Sequence, residues 1–360
     1  MPGNRLPAEW EKQSGVMLTW PHSDTDWYDI LEAAEAVYLE IARAIVADEQ
    51  LLLVCRDPGH REHVLAKLAK AGVARERIVV ALADSNDTWA RDHGPVTTLD
   101  DAGVPTLHDF VFDGWGGKYA ADKDTRINAA LGEQRVFGDS VMRPHELVLE
   151  GGAIETEGQG TLLATRSSVL DSRRNPDLSN AAIEQLLRDT LGLTRFLWLE
   201  HGELTGDDTD AHIDVLARFT DPGTIVYSTA PTGDADHAAL AAMEQQLRGF
   251  RTRDGNPYQL IPLPFPGIHR DSEGRRLPAG YANFLIINSS LLLPVYGVPA
   301  DREAEAILAQ CFPDRRVVPI DCRALIAQNG SLHCVSMQFP AAVPMGSGHS
   351  SRKNGEDTTG

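Results

Sequence analysis

Apolar positions along this chain recur with two periods, and the periods alternate. Residues 16–20 and 50–55 read as short strands, and 30–48 between them carries apolar residues at helical spacing. A helix is predicted over 60–71, then β-like runs at 78–82, 104–112, 147–154 and 161–164, each bounded by Gly, Asp or Pro. Helices return at 179–191, 236–247 and 302–310, with strands at 281–287, near 317–320 and at 333–337. The pattern is mixed α/β throughout. No linker long enough to divide the chain and no repeat legible as letters interrupts it. The end differs: from Met345 onward Gly, Ser and charge dominate with nothing to bury. A single body over 1–340 is therefore expected, with a disordered tail over 341–360 of the kind an expression vector leaves.

The longest apolar run, 284–298, is broken by Asn288, Ser289, Ser290 and Pro294, so no segment reaches the length of a membrane span. The opening residues hold Pro, Asn, Glu and Lys where a secretory leader would place an apolar core. A cytoplasmic location with no membrane partner is the expectation. The 360 residues carry 33 Lys and Arg against 52 Asp and Glu, a formal charge of −19. The basic residues are scattered, which argues against a nucleic-acid partner, while the negative field suits a small cationic ligand. Length allows two or three average domains or one large closed one, and leaves a homo-oligomer open. The four cysteines, Cys55, Cys311, Cys322 and Cys334, form no CxxC pair, so there is no zinc-ribbon or thioredoxin spacing. In a reducing compartment they are free thiols, and Cys55, following the apolar 51–54, reads as core.

Four segments could carry chemistry. In 206–216 an acidic loop runs into an apolar stretch; if His212 begins a strand, period two places His212 and Asp214 on one face. The plain alternative is a surface loop with a core-edge histidine. His201, Asp207, Asp208, Asp210, His212 and Asp214 are also metal-ligand types, but no second histidine stands nearby at ligand spacing, so no metal and no cofactor are expected. In 329–337 a glycine turn leads into a β-like run containing Cys334. Neighbours on a strand face opposite ways, which makes His212 a better base for that thiol than His333. Segment 88–95 compresses Trp89, Arg91, Asp92 and a Gly-Pro turn into eight residues. In 147–154 Glu150 and two glycines sit inside an apolar run; a buried charge needs a partner, and paired glycines mark close approach of backbone or ligand.

Together these segments resemble a family. Trp89-Ala90-Arg91-Asp92-His93-Gly94-Pro95, Trp115-Gly116-Gly117-Lys118, Leu149-Glu150-Gly151-Gly152, Arg174-Asn175-Pro176, His212-Ile213-Asp214 and Gly330-Ser331-Leu332-His333-Cys334 look like the ordered signature of the agmatine deiminase and bacterial-type peptidylarginine deiminase family. The early Pro7-Ala8-Glu9-Trp10 to Trp20-Pro21 segment also resembles that family's start, and the match runs over about 7–340. The resemblance implies the pentein fold, a five-bladed α/β propeller of pseudo-repeated ββαβ units. The intervals Asp92 to Glu150 (58), Glu150 to His212 (62) and His212 to Cys334 (122, about two units) agree with such a repeat. Two departures stand out: Ala211 and Asn329 occupy positions where many relatives have Gly.

A guanidinium is planar, cationic and rich in donors, so its site should offer carboxylates in its plane. Asp92 and Asp214 are the expected pair, as the resemblance also implies. Delocalisation makes the guanidinium carbon a poor electrophile, which favours a thiolate nucleophile, Cys334. Bound cation and a nearby imidazolium would each favour the thiolate. His212 would protonate departing ammonia and then activate water, Glu150 would orient and charge-stabilise His212, and Trp89 and Trp115 would wall the site. The leading expectation is conversion of agmatine and water to N-carbamoylputrescine and ammonia, feeding putrescine synthesis. Deimination of a peptidyl arginine is the nearest enzyme alternative: agmatine ends in an ammonium and favours further acidic groups, whereas a C-terminal arginine ends in a carboxylate and favours an Arg. Amidinotransfer fits less well, and a non-catalytic guanidine-binding protein would have no need of the thiol.

Overall fold

The computed structural model describes residues 3–346. Its strands are, in order, β1 (Gln13–Thr19), β2 (Gln50–Cys55), β3 (Ile78–Leu82), β4 (Val96–Leu99), β5 (Pro105–Val111), β6 (Val141–Val148), β7 (Glu155–Thr156), β8 (Thr161–Thr165), β9 (Arg195–Leu199), β10 (Ala217–Asp221), β11 (Thr224–Ser228) and β12 (Gln259–Leu263). A small hairpin follows, β13 (His269–Arg270) with β14 (Arg276–Leu277), and then β15 (Leu285–Ile286), β16 (Ser290–Val295), β17 (Arg316–Asp321) and β18 (Ser336–Pro340).

Apart from the hairpin, the strands form five sheets built to one plan: β4-β5-β6, β7-β8-β9, β10-β11-β12, β15-β16-β17 and β18-β1-β2-β3. In each, an antiparallel pair is followed by a parallel crossover. A helix makes each crossover, Leu31–Val46, Ile127–Glu133, Asn180–Leu191, His237–Gly249 or Ala300–Cys311, because a parallel connection must carry the chain back over the sheet. The last sheet takes its first strand from the far end of the chain, where β18 pairs antiparallel with β1.

Local rules account for the elements. Helix Leu31–Val46 buries Ala34, Val37, Tyr38, Ile41, Ala42 and Ile45, a stripe at helical spacing. Asp57 caps helix Pro58–Lys70 by accepting from the His60 N–H, with proline at the first turn. Ser179 caps Asn180–Leu191, which ends on left-handed Gly192. Strands β1, β2 and β16 are buried almost end to end, as expected of strands with both faces covered.

Several expected boundaries shift. The run 147–154 is not one strand: β6 stops at Val148, and Glu150 leads a 3-10 turn, Gly151–Ala153. His212 does not begin a strand either, because Ile213–Val215 is a 3-10 turn and β10 starts at Ala217. Cys334 lies in the turn before β18 rather than on it, and 281–287 narrows to Leu285–Ile286. The tail expected over 341–360 is contradicted over 341–346, which is ordered. Val343 and Met345 are buried against the β18 end, and the Ala341 and Gly346 N–H groups bond to the Lys12 and Val136 carbonyls. The rest of that tail, 347–360, lies outside the described residues.

Candidate active site

The residues singled out by sequence converge for a reason the topology makes plain. Each of the five sheets is entered by a segment leading into its first strand, and each of those segments contributes to one site. Asp92 precedes β4, Glu150 precedes β7, His212 and Asp214 precede β10, and Cys334 precedes β18. The segment before β15 supplies Asn283, which sequence reasoning missed. Asn283 lies 69 positions after Asp214 and 51 before Cys334, inside the double interval of the spacing pattern. That doubled gap was the available signal.

Glycines let these segments meet. A Cβ on Gly152 would lie 2.7 Å from both Asp92 Oδ1 and His212 Nδ1 and 3.2 Å from Asp214 Oδ2. The Gly152 N–H instead donates to Asp92 Oδ1 at 3.0 Å, so the paired glycines do mark a close approach. Trp115 donates its indole N–H to Asp92 Oδ2 at 3.0 Å, from a left-handed backbone (φ 60°) flanked by Gly114, Gly116 and Gly117, all left-handed too. A bulky residue in that region is strained, and the Asp92 bond is what the strain secures.

Cys334 Sγ lies 3.4 Å from Asn283 Oδ1 and 3.8 Å from Asp214 Oδ2. Asp214 Oδ2 also accepts from His333 Nδ1 at 2.8 Å. His333 is therefore not a base for Cys334 but a partner of Asp214. The His212 ring stands 3.6 Å from Asp92 Oδ1 through Nδ1. Glu150 was expected to hold that ring; its Oε1 is instead bonded by Arg174 Nε at 2.6 Å, both side chains fully buried. Arg174 also reaches Asp210 Oδ2 (2.9 Å) and the Thr209 carbonyl (3.0 Å), tying Glu150 to the loop that leads into His212. Three buried polar atoms of this group have no hydrogen-bond partner: Asp214 Oδ1, His212 Nε2 and Glu150 Oε2.

The electrostatics follow from burial and crowding. Burial, then Asp214 and Glu150, push the Asp92 carboxyl well up. Burial holds the His212 ring down at about 3, so it is neutral, not the imidazolium expected beside the thiol. Burial, Asp214 and Asp92 push the Cys334 thiol well above the ordinary thiol range. Burial would raise Asp214 too, but the hydrogen bond and charge of His333 outweigh it and hold that carboxyl down. Protonation of Asp92 relieves this crowding, and so would a cation placed between the two aspartates.

A cavity of about 450 Å³ ends on Cys334. Asp92, Trp89 and Trp115 line it; His212, Asp214 and Glu150 lie next to this lining, Asp214 Oδ2 being 3.8 Å from Cys334 Sγ and His212 Nδ1 3.6 Å from Asp92 Oδ1. Trp89 packs against Gly330, where no Cβ would fit. Outward, the lining adds Asp24, Asp26, Asp87, Asp124 and Asp208, with Lys118 and Lys123, and its described residues include no arginine. Burial pushes Asp87 up to about 6 and Asp124 up to about 7. Asp208 accepts from Tyr119 Oη (2.8 Å) and Asn329 Nδ2 (2.9 Å), and Lys118 Nζ bonds the Asp208 carbonyl at 2.6 Å. Ala211 and Asn329, the two departures, both adopt left-handed backbone (φ 66° and 67°), which is why glycine suits those positions. Among the described residues no three His, Cys, Asp or Glu are grouped so as to hold a metal ion. The carboxylates of the acidic loop bind Thr209, Ala211, Tyr119, Arg173 and Arg174.

The chain matches the model of the Porphyromonas-type peptidyl-arginine deiminases over residues 5–340. An agmatine deiminase from Stutzerimonas stutzeri is 33% identical, covering 94% of this chain and 96% of the relative. Among solved structures, a candidate arginine deiminase from Porphyromonas gingivalis superposes with a TM-score of 0.87 at 44% identity, over 94% of this chain and 99% of that one. A substrate-bound agmatine deiminase variant from C. jejuni gives 0.85 at 30%, over 93% and 96%.

Proposed function

The chain belongs to the Porphyromonas-type peptidyl-arginine deiminase family, and from that premise we propose that it hydrolyses agmatine to N-carbamoylputrescine and ammonia through a covalent intermediate on Cys334. The observation that carries the choice of substrate is the cavity lining. Its carboxylates continue outward past Asp92 to Asp87, Asp124, Asp26 and Asp208; the described lining has no arginine to receive the carboxylate of a free or C-terminal arginine, and its two lysines are already paired, Lys118 with Asp210 and Lys123 with Asp84. A ligand cationic at both ends fits that field. The agmatine deiminases among the relatives and neighbours favour the same reading.

In the proposed mechanism Asp92 and Asp214 flank the guanidinium; burial, then these two carboxylates, hold the Cys334 thiol up, and the arriving cation offsets the carboxylates' share. The thiol proton passes to His212, whose Nε2 is free, and an S–C bond forms at the guanidinium carbon. The imidazolium protonates one amino group, the C–N bond breaks, and ammonia leaves a thiouronium on Cys334. Water adds to that carbon, giving a proton to His212. The adduct then collapses to the urea, with the S–C bond breaking and the hydroxyl proton leaving with sulfur. The imidazolium returns its proton to solvent. Glu150, with Oε2 unpaired and Oε1 held by Arg174, supplies negative charge behind the ring. Trp89 and Trp115 wall the aliphatic chain.

The same reading takes the five like sheets as the blades of one closed propeller over 1–340, with β18 and β1 as its seam. It places the enzyme in the cytoplasm, where its four free cysteines stay reduced. The second reading, deimination of peptidyl arginine, is favoured by the family's description. Ammonia release from agmatine, free arginine and an arginine-terminated peptide, measured side by side, separates them. Agmatine-selective turnover is expected, and preference for the peptide would overturn the substrate while keeping the chemistry.

A further inference from the structure

We propose that Glu9, in the N-terminal segment, is a positioning residue for the deimination reaction: it acts through His333, held as an imidazolium between two carboxylates, to fix the orientation and charge of Asp214. The proposal rests on the reading of Asp214 as a guanidinium-binding carboxylate. It goes beyond that reading by assigning work to two residues outside the cavity.

The geometry is a line of three side chains. His333 Nδ1 lies 2.8 Å from Asp214 Oδ2, and Nε2 lies 2.8 Å from Glu9 Oε2. Each of those gaps requires a proton, and a neutral imidazole carries one N–H. Neither carboxylate is in a position to supply the second. Burial would raise the Glu9 carboxyl, but Arg218, then His333 and Arg91, hold it well below the usual carboxylate range; Asp214 is held down by His333, His212 and Arg218 against the same burial. Burial, then Arg218 and Arg91, act against the charge on His333 and carry the ring below the ordinary imidazole value, although Glu9 and Asp214 favour the charge; the two ring protons are therefore inferred from the geometry. The two short contacts decide the balance, because charge-assisted bonds at both nitrogens exist only if both nitrogens donate.

The line is anchored so that it can transmit position. Glu9 Oε1 accepts from the Ile286 N–H at 2.7 Å and Oε2 from Arg218 Nη2 at 2.8 Å. The His333 backbone N–H is held by Asn283 Oδ1 at 2.9 Å, and the ring is buried. Asp214 Oδ2 is thereby occupied, and Oδ1, with no partner, is the atom left to meet a guanidinium N–H. Without Glu9 the ring would keep one proton and could rotate, and Asp214 would lose both its fixed donor and the nearby positive charge.

Two measurements test this. The first counts ring protons on His333 in the substrate-free, full-length protein with ¹⁵N-labelled histidine at neutral pH, assigned by the loss of its signals in His333→Asn. Two slowly exchanging ring N–H signals are expected, and a single one would overturn the proposal. The second is Glu9→Gln, which should raise the KM for agmatine about tenfold or more with a smaller change in kcat, and should leave His333 with one ring proton. A folded Glu9→Gln protein with wild-type KM and two ring protons would also overturn it. If Glu9→Gln does not fold, the wild-type proton count decides alone. That count needs no substrate, so failure to turn over agmatine would sink the proposed function and leave this inference standing or falling separately.

Discussion

Two clusters of buried charge share Asp214 and differ in how completely they are paired. Beneath the site, Arg218 donates to Glu155, to Glu9 and to the Ala282 and Phe284 carbonyls, so each of its nitrogens has a partner. The second oxygens of Glu155 and Glu9 take the Phe219 and Ile286 N–H groups. Arg91 Nη2, 3.9 Å from Glu9, is the exception on this side, buried with no hydrogen-bond partner. Around Cys334 the bookkeeping fails: Asp214 Oδ1, His212 Nε2 and Glu150 Oε2 are buried without partners, and Asp92 is crowded by two other carboxylates. A satisfied network fixes a structure, whereas unsatisfied buried groups cost stability unless a ligand completes them. The contrast separates groups that hold the fold from groups that await a cation.

Substitutions on the two sides should therefore fail differently. The largest effect is Cys334→Ala, which should abolish ammonia release while the protein stays folded and still binds agmatine by calorimetry; residual turnover would break the assignment. Next is Asp92→Asn, expected to lower kcat/KM about a thousandfold. It should raise stability by about 1 kcal/mol in urea melts, because it removes an ionisable carboxyl that burial and two neighbouring carboxylates disfavour. Arg218→Leu should do the reverse, costing about 3–5 kcal/mol by leaving Glu9 and Glu155 uncompensated, measured as a fall in the urea midpoint. If Asp92→Asn proved the less stable of the two, the contrast would be wrong. The thiol offers a gentler probe. Since Asp214 helps push the Cys334 thiol up, it is neutral at pH 8, and iodoacetamide should label it slowly. Asp214→Asn lowers that thiol and should speed labelling about tenfold, and an unchanged rate would show that Asp214 does not control it. The smallest expected change is Ala211→Gly, which relieves a left-handed alanine and should add about 1 kcal/mol with little loss of activity.

Much of the site was legible in the sequence because its residues sit in short, unusual segments. Charge inside an apolar run marked Glu150, a thiol beyond a glycine turn marked Cys334, and the acidic loop marked His212 and Asp214. Their local geometry was less legible. Period-two reasoning placed His212 and Cys334 on strands, but both lie in turns just before strands, where backbone hydrogen bonds rather than alternation set side-chain direction. Partners distant in sequence were invisible. Glu150 meets Arg174, and His333 reaches Glu9 across 324 positions; nothing local in the sequence announces either. The short strands β9 to β12 leave little mark in the sequence, since each is a five-residue run between polar turns, too short for alternation to register. Asn283 escaped for a different reason: a neutral amide in an apolar run carries no charge to explain, and only the doubled interval pointed to it.

The most direct test of the account is to stop the reaction in acid at steady state and weigh the protein. With agmatine present, intact wild-type enzyme should gain the mass of agmatine less ammonia, and peptide mapping should place that gain on Cys334. Agmatine turnover with no such adduct in the wild type, or with the adduct on any other residue, would contradict it.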